Sequence, residues 1–167
     1  MKFFRNLYNG LFKAIRSGAE ICVFSMVGLL LVDVFGRYVL KKSTLISYDM
    51  TGYFLVGITY LGLAYGLREG SHIRITALID RFKPKFRKWW LFFIDSFALF
   101  FTIILFIKSA DLVRLSFELE IISQSFMGEP MWIPEIIVPI GLGMYIIEDI
   151  RLLVLNFKEL FLKISAT

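Results

Sequence analysis

Between Asp49 and Arg68 the chain runs for eighteen residues, Met50 to Leu67, without a formal charge. As a helix, that length crosses a hydrocarbon core of roughly 30 Å. The stretch that follows is the most basic of the protein. From Arg68 to Lys88, seven Lys/Arg (Arg68, Arg74, Arg81, Lys83, Lys85, Arg87, Lys88) stand against Glu69 and Asp80. Positively charged loops are retained on the cytoplasmic side, so this pair of features predicts both a membrane crossing and its direction.

The remainder of the chain agrees. With 57% hydrophobic residues, a mean hydropathy of +0.71 and four prolines, a water-soluble domain of this length would leave too much apolar surface in water. Trp89, Trp90 and Trp132 flank apolar runs, as an interfacial aromatic belt requires. The net charge of +5 does not point to nucleic acid, because the basic residues cluster beside hydrophobic segments, where orientation and anionic headgroups account for them. The one cysteine, Cys22, lies within an apolar run, so neither an intrachain disulfide nor a cysteine metal site is available.

In chain order, Phe3, Phe4, Leu7, Tyr8, Leu11, Phe12 and Ile15 mark one face of a 3.6-residue period, with Lys2, Arg5, Lys13 and Arg16 off it. The pattern predicts an amphipathic helix over 1–18 lying in the inner interface. No small-residue cleavage site follows the next apolar run, which argues against a cleaved leader. The first span is expected over 21–40, with Asp33 and Arg37 four apart on one face. Lys41 to Thr44 then form a short outer loop, and the second span, over 50–67, carries Gly52, Gly57, Gly62, Ala64 and Gly66, which permit close helix approach.

After the basic loop, a third span is expected over 89–107, with Asp95 inside it. Beyond it Leu112, Leu115, Leu119, Ile122 and Phe126 keep an i, i+3/i+4 stripe. That stripe predicts an amphipathic segment at the outer surface, continuous with the third span or bent along the membrane. Pro130-Met131-Trp132-Ile133-Pro134 leads into a last span over 136–155, near whose inner end lie Glu148, Asp149 and Arg151. Assigned this way, the inner segments hold fourteen of the nineteen Lys/Arg. The fold class is therefore an all-α integral membrane protein: one domain over 1–167, four transmembrane helices, both termini inside.

Chemistry is sparse. A membrane-embedded haem needs two axial ligands, usually histidines on facing helices, and His72, in a loop, is the one histidine. Phosphate-cradling glycine loops and zinc spacings are missing, and neither Ser25 nor Ser96 has a histidine base. Asp33, Asp95, Glu148 and Asp149 fit a proton or cation pathway, but local pairing of Asp33 with Arg37 and of Glu148 with Arg151 is the simpler expectation. The residues predict neither an enzyme nor a bound cofactor.

Arg68-Glu69-Gly70-Ser71-His72-Ile73-Arg74 is similar to the Arg-Glu-Gly/Asn-x-His-Ile-Arg that ends the second span in the small membrane subunit of TRAP transporters, the tripartite ATP-independent periplasmic family. Arg37-Tyr38-Val39 ends the first span as that family does. Ser47-Tyr48-Asp49 stands where Trp-Ser-Glu-Glu is common, and Pro139-Ile140-Gly141 matches its entrance to the last span. Ile46, Tyr48 and Thr76 depart from the usual tryptophan, acidic residue and aspartate. The resemblance extends from about Ala19 to Leu155.

This resemblance implies a subunit of the bacterial inner membrane. A periplasmic solute-binding protein captures an organic acid, such as a dicarboxylate or sialic acid, and a large subunit moves it inward by a sodium-driven elevator motion. The small subunit would extend the large one's fixed scaffold and help receive the binding protein, with substrate and sodium sites in the large subunit. On that basis Arg37, Asp49, Arg68, Glu69, His72, Arg74, Pro139 and Gly141 are candidates for subunit packing or lipid contact. The acidic segment with Asp111, Glu118, Glu120 and Glu129, together with Trp132, is a candidate docking surface for the soluble partner. Partners would be these two proteins and membrane lipids, without nucleic acid. The alternatives are a four-helix multidrug-type exporter, whose mid-span carboxylate would have to be Asp95, little more than a turn past Trp89-Trp90, or a membrane anchor for another complex.

Overall fold

The computed structural model describes residues 2–39, 41, 46–69, 84–125 and 128–164. The first element, α1, runs unbroken from Lys2 to Val39 over 38 residues, about 57 Å at 1.5 Å per residue. The separate interfacial helix expected over 1–18 is therefore the first half of this rod. Between Lys2 and Val39 there is no proline to stop the helix. Part of the stripe expected to lie on lipid is covered by protein instead: Phe12 and Ile15 are buried and Tyr8 is half-buried, while Leu11 is exposed. Phe12 belongs to a small core with Ala64, Leu67 and Tyr145.

The second helix, α2, spans Ile46–Arg68, containing the span expected over 50–67. The third, α3, spans Pro84–Glu118. Pro84 suits a first position, where its missing N–H removes no helical bond. A short α4, Trp132–Glu135, leads through one turn into α5, Ile137–Ile164.

The outer segment after the third span is a continuation of α3 as far as Glu118, and the helix does not extend to Phe126, which lies outside the described residues. Glu120 takes a positive φ of 48°, and the N–H groups of Ile121 and Glu120 bond back to the carbonyls of Ser116 and Phe117. These are the two bonds of a Schellman close, with Glu120 in the left-handed position that glycine usually fills. The chain then doubles back, Ser123 N–H bonding to the Glu129 carbonyl at 2.8 Å and Met131 N–H to that of Ile121 at 3.0 Å.

The long helices form a row in the order α1, α2, α5, α3. Gly57 on α2 meets the Cys22 sulfur of α1, and Gly141 on α5 meets the Tyr60 backbone of α2. Phe106 on α3 packs over Gly143 of α5. At the two ends of the α3/α5 seam Phe92 meets Phe157 and Phe117 meets Trp132, so these helices are antiparallel, whereas α2 and α5 run parallel. Along α3 a seven-residue repeat of polar side chains accompanies this seam. Asp95, Thr102 and Ser116 are buried and Ser109 is half-buried. Thr102 and Ser109 turn their hydroxyls onto their own helix, to the carbonyls of Ala98 and Phe106, which leaves small side chains at the contact.

A row one helix thick leaves broad apolar faces uncovered. Phe24 and Phe35 on α1, and Phe93, Phe97 and Phe100 on α3, are all more than 60% exposed. Among the described residues three segments are long and apolar enough to cross a membrane, Tyr8–Val39, Asp49–Arg68 and Phe92–Glu118. The fourth long helix, α5, differs by carrying Glu148, Asp149 and Arg151 within its first eighteen residues.

Candidate functional site

Two ends of the row matter. At one, the start of α1, the end of α2 and the second half of α5 converge. Tyr8 and Phe12, one turn apart on α1, stack with ring centroids 4.8 Å apart. Over them lies Arg68, the last residue of α2, its guanidinium carbon 4.7 Å from the Phe12 centroid and 5.0 Å from that of Tyr8. Both are within cation–π range. Arg68 also donates from Nη2 to Asn9 Oδ1 at 2.7 Å.

The Tyr8 hydroxyl donates to Glu148 Oε2. Glu148 has no exposed surface, and its other oxygen accepts two bonds from Arg151, from Nε at 3.0 Å and Nη2 at 2.7 Å. Arg151 itself lies 5.9 Å from the Tyr8 centroid. A few residues further along, Arg16 bonds Tyr65 at 3.2 Å and Glu20 at 2.7 Å. The outcome is a three-helix clamp: Arg68 fastens α2 to α1, and Tyr8 fastens α1 to the neutralised carboxylate of α5. Buried charge is tolerable when paired and hydrogen-bonded, and this arrangement supplies both conditions.

The local pairings expected of the span carboxylates are present. Asp33 meets Arg37 at 2.5 Å, and Glu148 meets Arg151. Asp33 lies at the opposite end of the row from Glu148 and Asp149, so it does not share a site with them. Among the described residues no group of three His, Cys, Asp or Glu is placed to hold a metal ion.

Of the residues selected from sequence, Arg68 stands in the clamp. Gly141 lies at the α2/α5 contact, where a Cβ would come within 2.6 Å of the Tyr60 carbonyl oxygen. Arg37 is exposed and holds Asp33. Asp49 is half-buried in the first turn of α2, Pro139 is half-buried in the first turn of α5, and Glu69 is exposed. His72 and Arg74 lie outside the described residues.

The other end of the row gathers most of the acidic set. Trp132 is edge-on to Phe117 at 5.7 Å. Glu118 pairs with Arg114 at 2.7 Å, Asp111 stands 3.7 Å from Lys108, and Glu120 and Glu129 sit on the returning turn. From sequence Tyr8 and Phe12 stand only as members of an apolar stripe, and Asn9 and Tyr65 are not singled out. Their signal is aromatic and amide side chains placed to meet arginines, which is invisible until α1 is laid beside α2.

Arg68→Lys keeps the charge but loses the planar stack and the fixed fork. The expected loss is roughly 1–2 kcal/mol from the cation–π contacts and the bond to Asn9. It should appear as a lower unfolding temperature in detergent, with unchanged membrane insertion. An unaltered melting curve would show that Arg68 contributes charge alone.

Compared with known proteins, the chain matches the family model of the DctQ component of tripartite ATP-independent periplasmic transporters over residues 26–159. No curated protein matches it. The family match takes in the last part of α1, all of α2, α3 and α4, and most of α5, including Arg68, Gly141, Glu148 and Arg151. The chain therefore belongs to the DctQ family, the small membrane component of these transporters.

Proposed function

We propose that the protein is the fixed, non-transporting membrane subunit of a sodium-driven TRAP system for an organic acid in a bacterial inner membrane. In this reading it forms a scaffold for a large elevator-type subunit and helps seat the periplasmic solute-binding protein. The observation that carries the reading is the combination of a row one helix thick with local neutralisation of Asp33 and Glu148. Such a molecule offers broad apolar surface to a membrane partner, and its described residues form no pair of interrupted spanning helices of the kind from which secondary transporters build a midplane site. The acidic end of α3 with Glu118 and Glu120, and Asp111 and Trp132 nearby, would be the face turned to the soluble partner, while Glu129, expected with them, lines a groove beside α2.

In the same reading α5 is a fourth crossing. Its eleven residues from Ile137 to Ile147 are uncharged, and the charges after them begin with the buried, paired Glu148. Both termini and the basic segment from Arg81 to Lys88 would then face the cytoplasm. With Cys22 replaced, single cysteines in that segment should resist an impermeant maleimide in intact cells and react after permeabilisation. Reaction from outside would reverse the orientation.

The functional test is reconstitution. Alone in liposomes, the protein is expected to carry no organic acid with or without a sodium gradient. Addition of the large subunit and the binding protein should give sodium-dependent uptake. Transport by this chain alone would favour the exporter alternative and end the scaffold reading.

A further inference from the structure

Between α1, the start of α2 and the α4/α5 junction lies a cavity of about 390 Å³, equal to about a dozen water volumes. The space opens to the outside past Ile133, which is half exposed, so in a bilayer it is open to acyl chains. Its walls are almost wholly apolar, with Met50, Tyr53 and Phe54 on one side and Ile133 and Pro134 on the other, so water is a poor filler. The cavity has a long axis. Met50 is in the first turns of α2, whereas Cys22, which also lines the space, lies level with Gly57. Seven residues of helix separate those levels, about 10 Å.

One lining residue carries a formal charge. Glu129 belongs to the returning turn before α4, at the end of the row where α2 and α5 begin. It is half-buried, and among the described residues its carboxylate has no ion-pair partner, its backbone carbonyl alone being engaged by Ser123. The lining thus combines one acidic residue, at the end of the row where α2 and α5 begin, with apolar side chains extending inward along two segments able to cross a membrane, Tyr8–Val39 and Asp49–Arg68.

We propose that this groove holds one acyl chain of a phospholipid whose headgroup bears a primary ammonium, phosphatidylethanolamine in chemical class, with the ammonium on Glu129. A trimethylated headgroup presents no N–H to that carboxylate and loses the charge-assisted hydrogen bond.

The test places the full-length protein in nanodiscs of phosphatidylcholine alone, or of equal parts phosphatidylcholine and phosphatidylethanolamine with the same acyl chains. Lipid retained through purification is measured by native mass spectrometry, and Cys22 reactivity by a lipophilic maleimide. The ethanolamine lipid should be retained about tenfold over the choline lipid, and its presence should slow Cys22 labelling. Glu129→Gln should erase both differences, while Ile133→Trp, which fills the groove from a half-exposed position, should lower retention of both lipids. Equal retention of the two lipids, or a preference that survives Glu129→Gln, overturns the proposal. So does Cys22 protection that depends on the large subunit whatever the lipid, because the occupant would then be a partner side chain.

Discussion

Arg151→Met is expected to cost about 3–5 kcal/mol of stability, because it strips the partner from a fully buried carboxylate. Glu148 would keep the Tyr8 hydroxyl but lose both guanidinium bonds. The double variant Glu148→Gln/Arg151→Met should recover most of the loss. A neutral amide can still accept from Tyr8, and no uncompensated charge remains. Tyr8→Phe should be milder, at about 1–2 kcal/mol, since Arg151 continues to hold the carboxylate. Thermal unfolding in detergent ranks the three. If the double variant is as unstable as Arg151→Met, lost packing by the arginine stem rather than an unpaired charge is the cause.

How far the fold could be read in advance depended on whether a feature is local. The span over 50–67 lies inside α2, because an uncharged run of that length leaves helix as its one cheap state in lipid. The Asp33–Arg37 and Glu148–Arg151 pairs were legible because residues three or four apart meet on any helix. The Tyr8 and Phe12 stripe shows the opposite case. Periodicity marks one face of α1 as apolar but does not say whether lipid or protein covers it. The partners that settle the question, Arg68 and Glu148, stand 60 and 140 residues beyond Tyr8 in sequence.

The end of α3 misled for a related reason. Leu112, Leu115, Leu119 and Ile122 keep helical spacing through the point where the helix stops, and neither glycine nor proline marks the stop. Glu120 adopts the left-handed conformation regardless, because Ser116 and Phe117 carbonyls capture the N–H groups that follow. For the candidate site the sequence named Arg68 and Gly141 and left out the α1 half of the clamp. On α3, Asp95, Thr102, Ser109 and Ser116 stand seven apart in plain view. Taken singly they are unremarkable polar residues, and only the α3/α5 seam makes them a set.

Gly141→Ala is expected to separate α2 from α5. The added carbon would stand 2.6 Å from the Tyr60 carbonyl oxygen, 2.7 Å from its carbonyl carbon and 2.7 Å from its Cβ. Two of those three atoms are backbone, so no side-chain rotation relieves the contact and α2 itself must shift. Overpacking in a formed contact costs about 1–3 kcal/mol, and a displacement of α2 would also disturb Ala64 and Leu67, which pack with Tyr145 in the same seam. Against this, alanine is the better helix former by about 1 kcal/mol, a gain that should appear wherever space allows. Gly62 has no atom within 4 Å of its added carbon, whereas at Gly143 the nearest atom is a Phe106 ring carbon at 3.4 Å. Gly62→Ala should therefore be neutral or slightly stabilising, Gly143→Ala near neutral, and Gly141→Ala clearly destabilising, with poorer recovery of the large subunit on co-purification. A flat response across the three glycines would mean that α2 and α5 do not approach as closely as the Tyr60–Gly141 contact requires.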